Sequence, residues 1–281
     1  MTFYEYIKEL TEAYRAHQTD SPAMREAVCV EVMSRYTFAP LEERDWVAGR
    51  KRVLPVGFSN EPLLGRSVGW FYDEARALEA LEEDGATAEQ VAEVRRLLQF
   101  WAGEETRGKL RRAYPEDIRE AMPEDIYWEH SQVAFPLYRV VGAYLDYDKL
   151  LRLGLDGMRT MAAQCREQAL LRGESPALGE GCLIALDALS AVCRRYAVQA
   201  REQGKHTLAD ALERVASQPP ATFLEAMQLA WLYSLISGVL NYGRMDDYLG
   251  DFLERDLAEG RVTEAEALRY TCSLWELIDA R

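Results

Sequence analysis

The chain has 281 residues, 48% of them hydrophobic, and carries 47 acidic against 33 basic side chains for a formal charge of −14. That apolar content supports a packed core and excludes a disordered chain. The charge excludes a phosphate-tracking nucleic-acid surface, because the basic residues are interleaved with acids and form no basic stripe. No apolar run reaches the length of a membrane span, and "MTFYEYIKELTEAYRAH" places acids where a signal peptide would be basic and then apolar. A cytoplasmic protein without a membrane partner is expected. The five cysteines (Cys29, Cys165, Cys182, Cys193, Cys272) are odd in number and widely spaced, which fits free thiols in a reducing compartment.

In chain order, amphipathic periodicity predicts helices over 2–17 and 22–36, separated by the cap signal Asp20-Ser21-Pro22. Residues 40–65 read as irregular, with one extended run, Val53-Leu54-Pro55-Val56. A helical pair is expected over 67–83 and 87–102, broken at Asp84-Gly85, followed by a loop-rich stretch over 103–136. Long helices are predicted over 146–171 and 177–203, each keeping an apolar face for several turns. A shorter helix over 206–217 ends at Pro219-Pro220, and three more are expected over 222–237, 245–258 and 263–280. Thr263 and Glu266 have the spacing of a capping box. No repeat, low-complexity tract or linker interrupts the chain, which therefore reads as one mainly helical unit over 1–281.

Few motifs carry chemistry. His17, His130 and His206 fall in separate segments, and no pair has the spacing that puts two imidazoles on one metal, so no metal site is expected. No cysteine pair has CxxC spacing, and Cys182 and Cys193 share one helix face as core thiols. "ALGEGC" (177–182) lacks the strand that precedes a phosphate loop and reads better as a helix N-terminus. Gly154 and Gly157, inside a predicted helix, each cost about 1 kcal/mol relative to alanine, so another backbone is expected to pack closely there. The step Gly243-Arg244-Met245-Asp246 reads as a helix–loop–helix corner, with Gly243 at positive φ and Arg244 paired with Asp246 or Asp247.

Three stretches taken together, "DYDKLLRLGLDG" (146–157), "PPATFLEAMQLAW" (219–231) and "YGRMDDYLGDFLERDLAEGRVTEAEAL" (242–268), resemble the glycyl radical enzymes of the pyruvate formate-lyase superfamily. "LLQFWAGEETRGKL" (97–110) adds a weaker likeness. The resemblance spans most of 90–281. It implies a ten-stranded α/β barrel wrapped by helices, with a thiyl-forming cysteine on a finger loop and a glycyl radical on a C-terminal loop. It further implies an activase, using an iron–sulfur cluster and adenosylmethionine, that installs the radical. Both radical elements lie C-terminal to the matched segments, and none of the five cysteines falls in the family's cysteine motif. The chain is thus expected to be the helical N-terminal part of such an enzyme: no catalytic residue of its own, no directly bound cofactor, and inactive alone.

The same resemblance implies a small-molecule substrate, a homodimeric complete protein, and a role for this segment as outer helices and one wall of the substrate cavity. It places Gly238 and Val239 where several family dehydratases present polar contacts, with Asn241 beside them, and Gly142 where relatives often carry histidine or arginine. In a register moved by three, Arg139 takes that last place. Arg244 and Asp246 are expected to hold their loop against the following helix. Leu229, Trp231, Leu235, Leu240, Leu274, Trp275 and Ile278 are expected to form an uncovered patch that makes the isolated chain self-associate. The alternative is a non-catalytic helical scaffold or binding protein that keeps this architecture.

Overall fold

The computed structural model describes residues 1–59, 69–121, 145–239 and 241–280. Its elements are α1 (Phe3–Ala16), α2 (Pro22–Thr37), β1 (Val56–Ser59), β2 (Gly69–Tyr72), α3 (Glu74–Glu83), α4 (Ala88–Glu104), α5 (Thr106–Ala113), α6 (Glu116–Ala121), α7 (Tyr147–Leu171), α8 (Ala177–Glu202), α9 (His206–Val215), α10 (Phe223–Ser237), α11 (Met245–Ala258) and α12 (Glu264–Asp279). The mainly helical class is therefore as expected. The chain divides into two compact units, one of Met1–Thr11, Leu54–Tyr144 and Gly238–Asn241, the other of Glu12–Val53, Leu145–Ser237 and Tyr242–Arg281.

In the first unit a small antiparallel ribbon pairs Val56 with Tyr72 and Phe58 with Trp70. This corrects the helix expected from residue 67. Trp70-Phe71-Tyr72 is an aromatic run that suits a half-buried ribbon, and the helix begins only after Asp73, whose carboxylate accepts from Arg76 N. The extended run expected at 53–56 starts instead at Val56. Trp101 anchors the core: it is 1% exposed, its ring lies 5.1 Å from Trp70, and its indole donates to Thr11 Oγ1 at 2.9 Å. The described part of the stretch expected to be loop-rich holds α5 and α6. Pro115 precedes α6 and so starts a helix there, where its missing N–H costs nothing.

In the second unit α8 packs against α2, α7 and α9. Two glycines in its first turns permit this. A Cβ on Gly179 would lie 2.7 Å from Arg166 N of α7, and one on Gly181 would lie 2.6 Å from Ala23 O of α2. The "ALGEGC" glycines thus serve close helix crossings, not N-cap geometry. Cys193 is buried, but Cys182 on the same helix is exposed, against expectation. All five cysteines are free thiols.

Helix α7 is broken at Gly154, which has φ 62° and ψ −178°. A Cβ there would sit 2.3 Å from Pro219 N, and the freed N–H of Asp156 donates to Ser217 O at 2.8 Å. The close backbone expected at this face is the 217–219 segment. Gly157 faces only Leu153 of its own helix, so that half of the expectation fails.

Residues 38–50 cross the second unit outside any named strand, touching Lys51 only through a single bridge from Phe38. Ala39 N donates to Arg50 O and Asp45 N to Glu42 O, and many of the other backbone polar groups are taken up by side chains. Tyr196 Oη donates to Ala39 O at 2.6 Å, Gln199 Oε1 accepts from Leu41 N at 2.8 Å, and Gln203 Nε2 donates to Leu41 O at 2.8 Å. Lys205 Nζ donates to the carbonyls of Glu42 and Asp45, and Ser273 Oγ accepts from Trp46 N at 2.9 Å. Gln228 is fully buried and uses both ends of its amide on Ala48, accepting from N and donating to O at 2.8 Å each. The Trp231 indole donates to Gly49 O at 3.1 Å, and Gly49, at φ 124°, has no room for a Cβ against that ring. This cover overturns most of the expected apolar patch: Leu229, Trp231, Leu235 and Leu274 are at most 3% exposed. Trp275 is exposed and Ile278 half-buried, while Leu240 lies outside the described residues.

Three substitutions test these contacts. Gly154→Ala should lose about 3 kcal/mol or more in urea unfolding, from strained φ and a backbone clash. Gly250→Ala, in α11 with open space around it, should instead gain about 0.5–1 kcal/mol. Gln228→Leu should also cost about 3 kcal/mol or more, because two backbone groups of Ala48 are left buried without partners.

Candidate functional site

The corner joining α10 to α11 is the part of the chain that the sequence motifs single out. Helix α10 is apolar all round, and only Glu225, Tyr233, Ile236 and Ser237 keep solvent contact. A helix of that kind belongs in a core.

Its N-terminus is fixed by two carboxylates. Glu225 accepts from the backbone N–H groups of Ala221 and Thr222, and Thr222 Oγ1 accepts in turn from Glu225 N. Asp256, on α11, is 2% exposed and accepts from Phe223 N at 2.7 Å with one oxygen. Its other oxygen accepts from Arg261 Nε at 2.9 Å. Arg255 donates to Ala221 O at 2.9 Å. The acidic motif "ERDLAEGR" is thus a clasp on the start of α10. Sequence reading missed Asp256. Its signal was available: an acid in the last turn of a helix opposes the dipole and needs another cation or donor to hold it.

The C-terminal end of α10 passes into Gly238, at φ 65°. Val239 is 6% exposed and Asn241 is exposed. These three belong to the first compact unit, whereas Tyr242 onward belongs to the second. Arg139 and Gly142 lie outside the described residues.

Gly243 has φ 62°, so the corner has its left-handed residue where the sequence put it. Arg244 then makes a two-pronged pair with Asp246, Nε to Oδ1 at 2.8 Å and Nη2 to Oδ2 at 2.6 Å. The hydrogen bonds from Arg244 hold the Asp246 carboxyl down at about 2. Both side chains are well exposed, at 78% and 68%, so solvent screening leaves the pair little weight in overall stability. Arg244 and Asp246 are the two sequence-singled residues that the fold brings together.

The second unit also holds an aromatic layer that the sequence did not announce. Tyr147 and Tyr248 stack at 4.6 Å with 14° between their planes. Ser234 Oγ donates to Ala230 O, so the Tyr147 hydroxyl, 2.7 Å from Ser234 Oγ, is left to donate to it. Tyr248 Oη donates to Tyr242 O at 2.9 Å, and the Tyr242 ring lies 5.8 Å from Trp231. Burial pushes the Tyr248 phenol well above its usual range, so it remains a neutral donor at physiological pH. The start of α11 is therefore held by ring stacking and by the Tyr248–Tyr242 hydrogen bond. Among the described residues, no three His, Cys, Asp or Glu side chains converge as metal ligands, and no helix is long and apolar enough to cross a membrane.

Comparison with known proteins gives this arrangement a context. Isethionate sulfite-lyase from Nitratidesulfovibrio vulgaris is 28% identical over 215 residues, covering 65% of this chain and 25% of that protein. The crystal structure of hydroxyproline dehydratase from Clostridioides difficile superposes with a TM-score of 0.71 at 18% identity, covering 99% of this chain and 38% of that one. A structure from Roseburia inulinivorans concerned with 1,2-propanediol dehydration gives a TM-score of 0.68 at 22% identity, covering 96% of this chain and 36% of that one. At these identities the superpositions establish shared fold. The chain spans about a quarter of the length of the first of these relatives and over a third of the solved chains. A pyruvate formate lyase-like family profile matches residues 2–279, nearly the whole sequence, and the chain belongs to that family.

Proposed function

We propose that the chain is the N-terminal, helical part of a glycyl radical lyase, dehydratase or decarboxylase acting on a small organic molecule. It supplies outer helices and one wall of the substrate cavity, and works in the cytoplasm as part of a homodimer of the complete protein. The observation that carries this reading is the family match over 2–279, joined to relatives whose names describe lyase and dehydratase activities. In the complete enzyme a glycyl radical, installed by an iron–sulfur, adenosylmethionine-dependent activase, supplies the initiating hydrogen abstraction. The residues of this chain would bind, orient and exclude water.

Within this reading Gly238, Val239 and Asn241 face the substrate. The small, apolar pair Gly238 and Val239 leaves room for a bulkier or less polar molecule than a diol. Arg139 and Gly142 are alternative contributors from the preceding segment, and Arg244 with Asp246 stiffens the loop. No catalytic residue is assigned to this chain. Its buried thiols, Cys29 and Cys193, are pushed up to about 12 by burial, which suits core packing. The apolar character of Gly238 and Val239 also favours a second reading, a non-catalytic helical scaffold. A downstream cysteine loop and glycine loop in the encoding reading frame would separate the two.

Anaerobic treatment of the purified chain with an activase, adenosylmethionine and reductant should give no glycyl radical doublet in electron paramagnetic resonance. Such a signal from this chain alone would overturn the proposed division of labour. In thiol titration of the native chain, exposed Cys165, Cys182 and Cys272 should react quickly, and buried Cys29 and Cys193 only after denaturation. Fast reaction of either buried thiol would contradict the core role given to it.

A further inference from the structure

Helix α12 buries Ala267, Ser273, Leu274 and Leu277 and turns its opposite face to solvent. That outer face carries Ala265, Leu268, Cys272, Trp275 and Asp279, all of them exposed. Their spacing alternates three and four residues, the seam pattern of a two-stranded coiled coil. Leu268 is 64% exposed and Trp275 57%. Beside the seam Trp46 is exposed as well, its ring 6.5 Å from Tyr270 and 5.0 Å from the Arg269 guanidinium carbon. A single exposed apolar side chain is ordinary, but a strip of them in register along one helix marks a contact surface.

Charge indicates what covers it. Arg269 and Glu276 lie seven residues apart and so share one flank of the seam, both exposed. Arg269 donates to Ala265 O at 3.4 Å within its own helix, stacks on Trp46 and acts on Glu266 at longer range. Among the described residues neither Arg269 nor Glu276 makes an ion pair. In an antiparallel helix pair each flank meets the same flank of the second helix. A second copy of α12 laid antiparallel on the first therefore brings Arg269 of each chain to Glu276 of the other, two pairs at once. The two-fold axis then passes between positions 272 and 273, so that Cys272 lies beside Cys272 of the second copy.

The parallel arrangement is disfavoured by the same residues. It would face Asp279 with Asp279 of the second copy across the seam, and it would align the two helix dipoles. The antiparallel one puts these carboxylates at opposite ends and opposes the dipoles. We propose that the outer face of α12 is a self-association surface on which a second copy of this chain docks, helix to helix and antiparallel. One helix pair buries less than a standard interface, so the dissociation constant is on the order of 10 μM. This surface rests on α12 and Trp46, and it stands whichever of the two functional readings above holds.

The test is sedimentation equilibrium of the 281-residue chain under reducing conditions, from about 5 to 500 μM, a range that brackets that affinity. A monomer–dimer equilibrium is expected. Trp275→Glu should abolish it. Arg269→Glu and Glu276→Arg should each weaken it about tenfold, because one reversal sets like charges against each other in both pairs. The double swap Arg269→Glu with Glu276→Arg should restore it. Leu178→Glu, which removes an exposed leucine of α8, should leave it unchanged. A short bismaleimide should join two chains, and Cys272→Ser should prevent that. Should Trp275→Glu unfold by circular dichroism, the charge swap carries the test. A monomer throughout the range overturns the proposal. So does a dimer that survives Trp275→Glu, a double swap that fails to restore association, equal weakening by Leu178→Glu, or cross-linking that persists in Cys272→Ser.

Discussion

Residues 38–50 bury Leu41, Asp45, Val47, Ala48 and Gly49, leave Pro40, Glu43, Arg44 and Trp46 exposed, and have almost no sheet to supply hydrogen bonds. Each buried N–H or C=O left without a partner would cost about 1–3 kcal/mol. The chain meets this constraint with side chains: Tyr196, Gln199 and Gln203 from α8, Lys205 just beyond it, Gln228 and Trp231 from α10, and Ser273 from α12. One irregular segment therefore ties together three helices that are distant in sequence. The residues that do this are polar and at helical spacing, so on a helical wheel they look like surface positions. Only their partner backbone makes them interior.

Helix α10 is the element most tightly held by such arrangements. The segment leading into it lies in the notch opened by Gly154, its first turn is clasped by Asp256 and Glu225, and its middle is fixed to Ala48 and Gly49. Two of these devices break local rules, a left-handed residue within a helix and an acid near a helix C-terminus. Each violation is offset by a tertiary contact, the first to the segment leading into α10 and the second to its first residue. The start and the middle of α10 are thereby fixed within the second unit.

The helices with sustained periodicity were legible. The boundaries read for α2, α7, α8, α10, α11 and α12 fall within a residue or two of those observed, and the Thr263–Glu266 capping box is present. The aromatic ribbon at 56–59 and 69–72 was not, because a four-residue strand gives too short a pattern to compete with the adjoining helix signal. Cys182 was misplaced for a related reason: sharing a helix face with Cys193 does not mean that the neighbouring helix covers the whole face. At the corner, Gly243 and the Arg244–Asp246 pair could be read locally, since the interacting residues are within a few positions of one another. Gln228 and the tyrosine stack could not, since their partners lie far away along the chain, and for Asp256 the sequence marked an acid in need of a donor without saying that Phe223 N would supply it.

The sequence by itself determined the helical class, the positions of the long helices, the left-handed corner and, through ordered motifs, the family. All of these depend on interactions over one or two helical turns or on motif order along the chain. Tertiary structure alone decided what covers α10, why Gly154 and Gly179 must be glycine, and which of the apolar residues near α10 and α12 are buried. Those outcomes depend on which distant backbone or charge arrives within a few ångströms, and packing geometry, not local spacing, sets that distance.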